Sequence, residues 1–358
     1  MEIGIVGLPQ SGKRTLFTLL TQASGNLGSN KERKEQNLGV SYVFDSRLDR
    51  LAKLYQPQKK VPATIKYILV SKLSKNSEEN REAFKTISSV DAICHVVRAF
   101  SDDTVFHIDG TVDPKRDIEY VESELILNDL VFVENRIQKL EKDMKRKKDV
   151  ALQQECDLMR RLLDYLNQDM PLRMYQLTEE ESKMLNAYPL LSRKNMLIAL
   201  NVSEESVSSS ECVDKLSRAY EGRGMHFVQI SCKIESELLE IDDEAERRLF
   251  LDDLGIETSA LEKVTRLSYE ALDLISFFTV GKDEVRAWTI RAGCTAPRAG
   301  GRIHSDIERG FIRAEHMRVE DLLECGSEQK VKDCGKFSLK GKDYTVRDGD
   351  ILHFRFNI

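Results

Sequence analysis

The clearest chemistry in the chain sits close to its first residue. Gly7-Leu8-Pro9-Gln10-Ser11-Gly12-Lys13 fits the spacing GxxxxGK. The glycines let backbone N–H groups face phosphate oxygens, and a helix starting there adds positive potential at its N-terminus. Lys13 would reach the β- and γ-phosphates of a nucleoside triphosphate. The competing reading is a bare structural turn. The next position departs from the pattern: a Ser or Thr hydroxyl normally ligates Mg²⁺ there, and this chain has Arg14. Arginine offers a metal no lone pair and brings its own charge. Thr15 carries a hydroxyl, but about 100° further round the helix, and is not expected to take over as ligand. Arg14 either points outward or partly replaces the cation beside the phosphates. Gly7, Pro9, Gln10, Ser11, Gly12, Lys13, Arg14 and Thr15 make up the phosphate half of a candidate nucleotide site.

A base-reading half is expected at Asn201-Val202-Ser203-Glu204. GTPases select guanine with Asn-Lys-x-Asp, whose Asp accepts hydrogen bonds from guanine N1–H and the 2-amino group. The longer acid Glu204 and the missing Lys weaken that selection, so ATP is expected to bind at least as tightly as GTP. Asn201 or Ser203 as a helix N-cap explains the same letters. His304-Ser305-Asp306 is no catalytic triad, because adjacent residues rarely face one another; Ser305 or Asp306 as a helix cap is expected. The cysteines at 94, 156, 212, 232, 294, 325 and 334 show no CxxC pair and no zinc spacing, and read as reduced thiols.

These residues need elements to hold them. Apolar runs at Ile3 to Val6, Ile65 to Val70, Ala92 to Val97, Met196 to Leu200 and Phe227 to Ile230, with helical stretches between, predict a mostly parallel α/β sheet. Ile118, Val121, Leu125, Leu130, Val133, Ile137, Leu140 and Met144 recur at helical steps, as do Leu152, Cys156, Met159, Leu162 and Leu166. A charged stretch, Lys142 to Asp149, separates them, so an inserted antiparallel helical hairpin is predicted. The last ~80 residues read as a small α+β unit of the β-grasp kind. Its predicted strands are Phe277 to Val280, Glu284 to Ile290, Tyr344 to Val346 and Ile351 to Ile358, its helices Ile307 to Met317 and Val319 to Leu323.

A chain of 358 residues implies two or three domains. A net charge of -6 excludes a globally basic nucleic-acid binder, so any RNA contact must come from local patches. Two are candidates: Lys142, Lys145, Arg146, Lys147 and Lys148 at the hairpin turn, otherwise a solvated tip, and Arg286, Arg291, Arg298, Arg302, Arg309 and Arg313. Trp288 is expected to be core or half-buried. Met1-Glu2-Ile3-Gly4-Ile5-Val6 reads as a strand start, no apolar run approaches a bilayer span, and a cytoplasmic location is expected.

Longer stretches resemble the YchF/Obg-like ATPase family. They are Gly7 to Phe17, Asn37-Leu38-Gly39-Val40, Arg47 to Ala52, Val61 to Ile65, Val90 to Phe100, Glu284 to Ile290, Gly301 to Glu315 and Phe354 to Asn357. The resemblance spans nearly the whole chain. It implies a G domain (1–117 and 191–274), a helical coiled-coil arm (118–190) and a TGS domain (275–358). It also implies purine-nucleotide binding with ATP or GTP, an Asn-x-x-Glu base site joined by Ser231-Cys232-Lys233, and association with the ribosome or RNA, with no membrane contact and no DNA specificity. The chain departs from the family at the metal side. Leu69 stands where the switch II Asp belongs and Lys72 where its Gly belongs; Glu35-Gln36-Asn37 follows Arg33-Lys34 with no switch I Thr. With Arg14, these changes argue against a retained Mg²⁺ site and for hydrolysis that is weak or lost. No catalytic residue is assigned. The alternative is a pseudo-NTPase scaffold acting through the arm and the TGS domain.

Overall fold

The computed structural model describes residues 1–22, 37–74, 77–147, 149–241, 243–256 and 258–357. The switch I stretch Arg33 to Gln36, with Lys148 and Ile358, lies outside the described residues. Two compact units emerge, one from 1–40 and 66–268, the other from 41–65 and 269–358. Among the described residues no helix is long and apolar enough to cross a membrane.

The strands in chain order are β1 (Glu2–Val6), β2 (Leu38–Tyr42), β3 (Lys59–Val61), β4 (Thr64–Leu69), β5 (Ala92–Arg98), β6 (Met196–Asn201), β7 (Met225–Ile230), β8 (Leu274–Thr279), β9 (Glu284–Arg291), β10 (Phe311–Arg318), β11 (Ser338–Lys340) and β12 (Asp350–Phe356). The first sheet runs β2-β4-β1-β5-β6-β7. β1 pairs in parallel with β4 and β5, and β5–β6 and β6–β7 are parallel too. Every residue of β5 and β6 is buried, which is why both read as mainly apolar runs: helices cover both faces of a parallel sheet.

The helical hairpin forms as the spacing predicts. Pro114–Arg146 starts at the cap Asp113, whose side chain accepts from Arg116 N, with Pro114 in the first turn. Asp149 caps the return helix Val150–Leu166. Val133, Ile137 and Leu140 pack with Cys156, Met159 and Leu162, and Arg136–Glu155 and Arg160–Glu141 pair across the two helices. The hairpin is fastened at its base by buried Asp129, which accepts from Leu191 N (2.8 Å), Ser192 N (2.8 Å) and Ser192 Oγ (2.7 Å).

The second sheet runs β11-β10-β12-β8-β9-β3 and is mixed. β8–β9, β10–β12 and β10–β11 are antiparallel, β12–β8 and β3–β9 parallel. Phe277, Ile290, Phe311, Leu352 and Phe354 fill its core. Trp288 is half-buried, stacked beside Phe277, and donates to Thr279 Oγ1 at 3.0 Å. Buried Asp350 accepts from His316 Nε2 (3.0 Å), Tyr344 Oη (2.7 Å) and Arg347 N (2.9 Å).

Three expectations are corrected here. Ile307 to Met317 is not a helix: Ser305–Arg309 is a short helix, and the chain then turns at Gly310 into β10. A Cβ on Gly310 would lie 2.1 Å from Asn357 O, so the two backbones touch where the helix would have continued. β10 has partners on both sides, and that pairing overrides the helical spacing. Tyr344 to Val346 forms no strand; only Thr345 bridges to Thr295. The helix cap is His304, whose Nδ1 accepts from Asp306 N at 3.2 Å, and not Ser305 or Asp306.

Candidate nucleotide site

The carboxyl ends of β1, β5, β6 and β7 lie side by side and deliver Gly7, Arg98, Asn201 and Ser231 to one edge of the sheet, where ligands of open parallel sheets bind. The loop after β1 is tightly wound. A Cβ on Gly7 would sit 2.6 Å from both Ser11 Oγ and Val96 O. Gln10 (φ 62) and Gly12 (φ 93) take left-handed conformations. A Cβ on Gly12 would lie 2.3 Å from Asn201 Nδ2, so no other residue fits. The helix Lys13–Gln22 begins directly after it.

Lys13 donates from Nζ to Gly7 O at 2.7 Å. Burial, then the neighbouring charges of Arg14 and Lys72, push its pKa down to about 8. His95, on β5, is fully buried and neither ring nitrogen has a partner. Burial and the nearby Lys13 push it down to about 3, so it is neutral. Ser11 Oγ is also buried without a partner.

Asn201 joins the two halves of the site. Its Nδ2 donates to Ser11 O at 3.1 Å, and its Oδ1 accepts from Cys232 N at 3.1 Å. One side chain therefore fixes the phosphate-type loop against the loop after β7. Ser203 stands at the N-cap position of the short 3-10 turn Glu204–Ser206 without a side-chain cap bond, and the Asn201 side chain is spent on Ser11 and Cys232. Ser231 caps the helix Cys232–Glu240, and Lys233 pairs with Glu204 across the mouth of the site. Burial pushes the Cys232 thiol up to about 12, which makes it inert.

A cleft of about 490 Å³ opens between these loops, within the ~300–1,000 Å³ of ordinary ligand sites. Gln10, Gly12, Thr15, Asn201, Val202, Glu204, Ser231, Cys232 and Lys233 line it; Gly7, Pro9, Ser11, Lys13 and Arg14, of the same loop and helix start, are not among its lining residues. The opposite wall is Phe100, Ser101, Asp102 and Val105, which the sequence reasoning missed. Arg98 shapes that wall. Nearly buried, it donates to the main-chain oxygens of Phe100 (3.1 Å), Asp102 (3.3 Å), Val105 (2.9 Å) and Phe106 (3.3 Å), and its guanidinium lies 4.6 Å from the Phe100 ring centroid. The available signal was an arginine closing a buried apolar strand.

At the described positions of the metal side the side chains offer Mg²⁺ no ligand. Leu69 closes β4 as a buried apolar residue, and Arg14 and Lys72 are exposed cations. An alkyl group and two cations supply no oxygen to a hard divalent ion.

Residues 274–357 match the family model YchF-GTPase_C, described as a protein of unknown function (DUF933). Over 367 aligned positions the chain is 42% identical to the "Ribosome-binding ATPase YchF" of Bacillus subtilis (strain 168), with 100% of each covered. The chain belongs to the YchF family. The "Obg-like ATPase 1" of Caenorhabditis elegans is 37% identical, covering 100% of this chain and 92% of that one. Among solved structures, the Schizosaccharomyces pombe YchF GTPase superposes with a TM-score of 0.89 at 31% identity, over 99% of this chain and 97% of that one. A GTP binding protein from Pyrococcus horikoshii OT3 shares the fold, with a TM-score of 0.61 at 19% identity and 100% of both chains covered. The YchF architecture is therefore present: a P-loop G domain with a mostly parallel sheet, an inserted helical hairpin and a C-terminal α+β domain.

Proposed function

We propose that this YchF-family protein is a cytoplasmic, ribosome- or RNA-associated factor that binds a purine nucleotide, ATP or GTP, and hydrolyses it weakly or not at all. The observation that carries the reading is the Asn201 bridge, which holds the Gly7–Thr15 loop and the Ser231–Lys233 loop on two sides of one cleft. The glycine-wound loop and Lys13 suit the phosphates; Asn201, Val202, Glu204, Ser231, Cys232 and Lys233 suit the base. With Glu204 where guanine readers hold Asp, ATP binds at least as tightly as GTP. Leu69 and Arg14 remove the groups that phosphoryl transfer uses to hold its metal. Relatives named ribosome-binding ATPases support the ribosomal partner.

In this reading 1–117 and 191–274 are the G domain, 118–190 a coiled-coil arm and 275–358 a TGS domain. Exposed Lys142, Lys145, Arg146 and Lys147 at the end of the first arm helix offer a phosphate-seeking tip. A second reading, a scaffold that ignores nucleotide, is favoured by Lys13 being satisfied by Gly7 O and Glu204 by Lys233. Calorimetric titration of ATP and of GTP, with Lys13→Ala as control, separates the two. Micromolar binding lost in Lys13→Ala supports the nucleotide factor. No binding up to millimolar nucleotide leaves the scaffold.

A further inference from the structure

The side of the site that lost its metal ligands has gained charge. The family pattern places a lysine, a divalent ion and an acid around the phosphates, a net of two positive charges. This chain places Lys13, Arg14 and Lys72 there, a net of three with no metal at all. Lys72 follows β4, next to β1 in the sheet, and is near enough to Lys13 to perturb it electrostatically. Arg14 leaves the first turn of the helix at the position from which a hydroxyl would have reached the ion. Among the described residues no carboxylate lies within ion-pair distance of half-buried Lys13 or of exposed Arg14 and Lys72, whereas the half-buried Arg116, Arg136, Arg173 and Arg223 of this unit each have one. The loop beside them has features of an anion site: Gln10 and Gly12 take left-handed conformations, as in anion-binding nests, and the buried Ser11 hydroxyl within it has no partner. Three cations that lack counter-charges among the described residues, beside a phosphate-type loop, suit a polyanion that arrives without a metal.

We propose that Arg14 and Lys72 replace the divalent ion, so that the site takes the metal-free nucleoside triphosphate in preference to its Mg²⁺ complex. Arg14 presents a fork that can hold two phosphate oxygens, and Lys72 acts as a point charge from the β4 side. A Mg²⁺ ion coming with the nucleotide would meet two cations and the alkyl group of Leu69, and would weaken binding. The inference rests on the nucleotide reading above but can fail separately from it.

The test is titration of ATP and of inorganic tripolyphosphate into the full chain, in EDTA and in excess MgCl₂. Both ligands should bind several-fold tighter in EDTA. Arg14→Ser and Lys72→Ala, at exposed positions where folding is readily checked by circular dichroism, should each lower metal-free affinity about tenfold, the scale of one lost charge-assisted contact. Arg14→Ser combined with Leu69→Asp and Lys72→Gly should turn the preference toward MgATP. ATP binding that needs MgCl₂, or is unchanged in both single variants, overturns the inference and leaves the nucleotide reading standing. Absence of ATP binding in both buffers defeats the nucleotide reading and the inference with it.

Discussion

At the scale of single residues, Asn201 has the most to lose. Its two buried hydrogen bonds hold Ser11 and Cys232, and it fills the space that Gly12 leaves open. Asn201→Ala should cost about 1–3 kcal/mol of stability, since a buried backbone acceptor and donor are left unpaired. It should weaken ATP binding more than the stability loss alone explains; thermal melts and calorimetry on the same sample measure both. Lys13 gives a pH dependence with a defined sign. Its folded pKa of about 8 lies below the ordinary 10.5, so its charge opposes folding below about pH 8 and the penalty fades as pH rises. Phosphate needs the charged form, so ATP affinity should fall as pH passes 8. The other charges that act on it are those of Arg14 and Lys72, and buried His95 is already neutral. Lys13→Arg should flatten the profile between pH 7 and 9.5.

Secondary-structure elements show where reading the chain by eye succeeds. The phosphate-type loop was legible because its chemistry is written in consecutive residues, Gly7 to Lys13, between an apolar strand and a helix. The helical hairpin was legible because long amphipathic stripes have one solution. The Phe100–Val105 wall was not, because Arg98 holds it through main-chain oxygens, which every sequence supplies. Nor was β10, whose spacing imitates a helix until its neighbours β11 and β12 are present. Arg98→Lys, with too few donors for four carbonyls, should loosen that wall; faster amide exchange across 100–106 with an unchanged far-ultraviolet spectrum would register it. At the foot of the arm, Asp129→Ala should cost about 3 kcal/mol in denaturant unfolding, because two backbone N–H groups and a hydroxyl lose their acceptor in a buried place.

For the molecule as a whole, the division of the chain matters more than any single site. The second unit draws 41–65 from near the start of the sequence. That segment supplies β3 as the partner of β9, Arg47 as the partner of Asp348, and Tyr55, which donates to Glu328 at 2.7 Å. A fragment of 269–358 alone would leave the β9 edge open. It should melt lower than the same unit within the full chain and should bind a peptide of 41–65 added in trans, which calorimetry can follow.

The placement of β3 also sets a timetable. The stretch Lys59–Val61 leaves the ribosome about two hundred residues before the strand it pairs with. At roughly 5–20 residues per second, it waits on the order of 10–40 s. During that wait the sheet domain on either side, β2 and β4, can assemble, while the short segment between has no neighbour. Its first two residues are lysines, and like charge on a bare strand discourages joining the wrong neighbour. In a crowded polysome, where many copies wait at once, Lys59 and Lys60 would disfavour pairing of one nascent chain with its siblings.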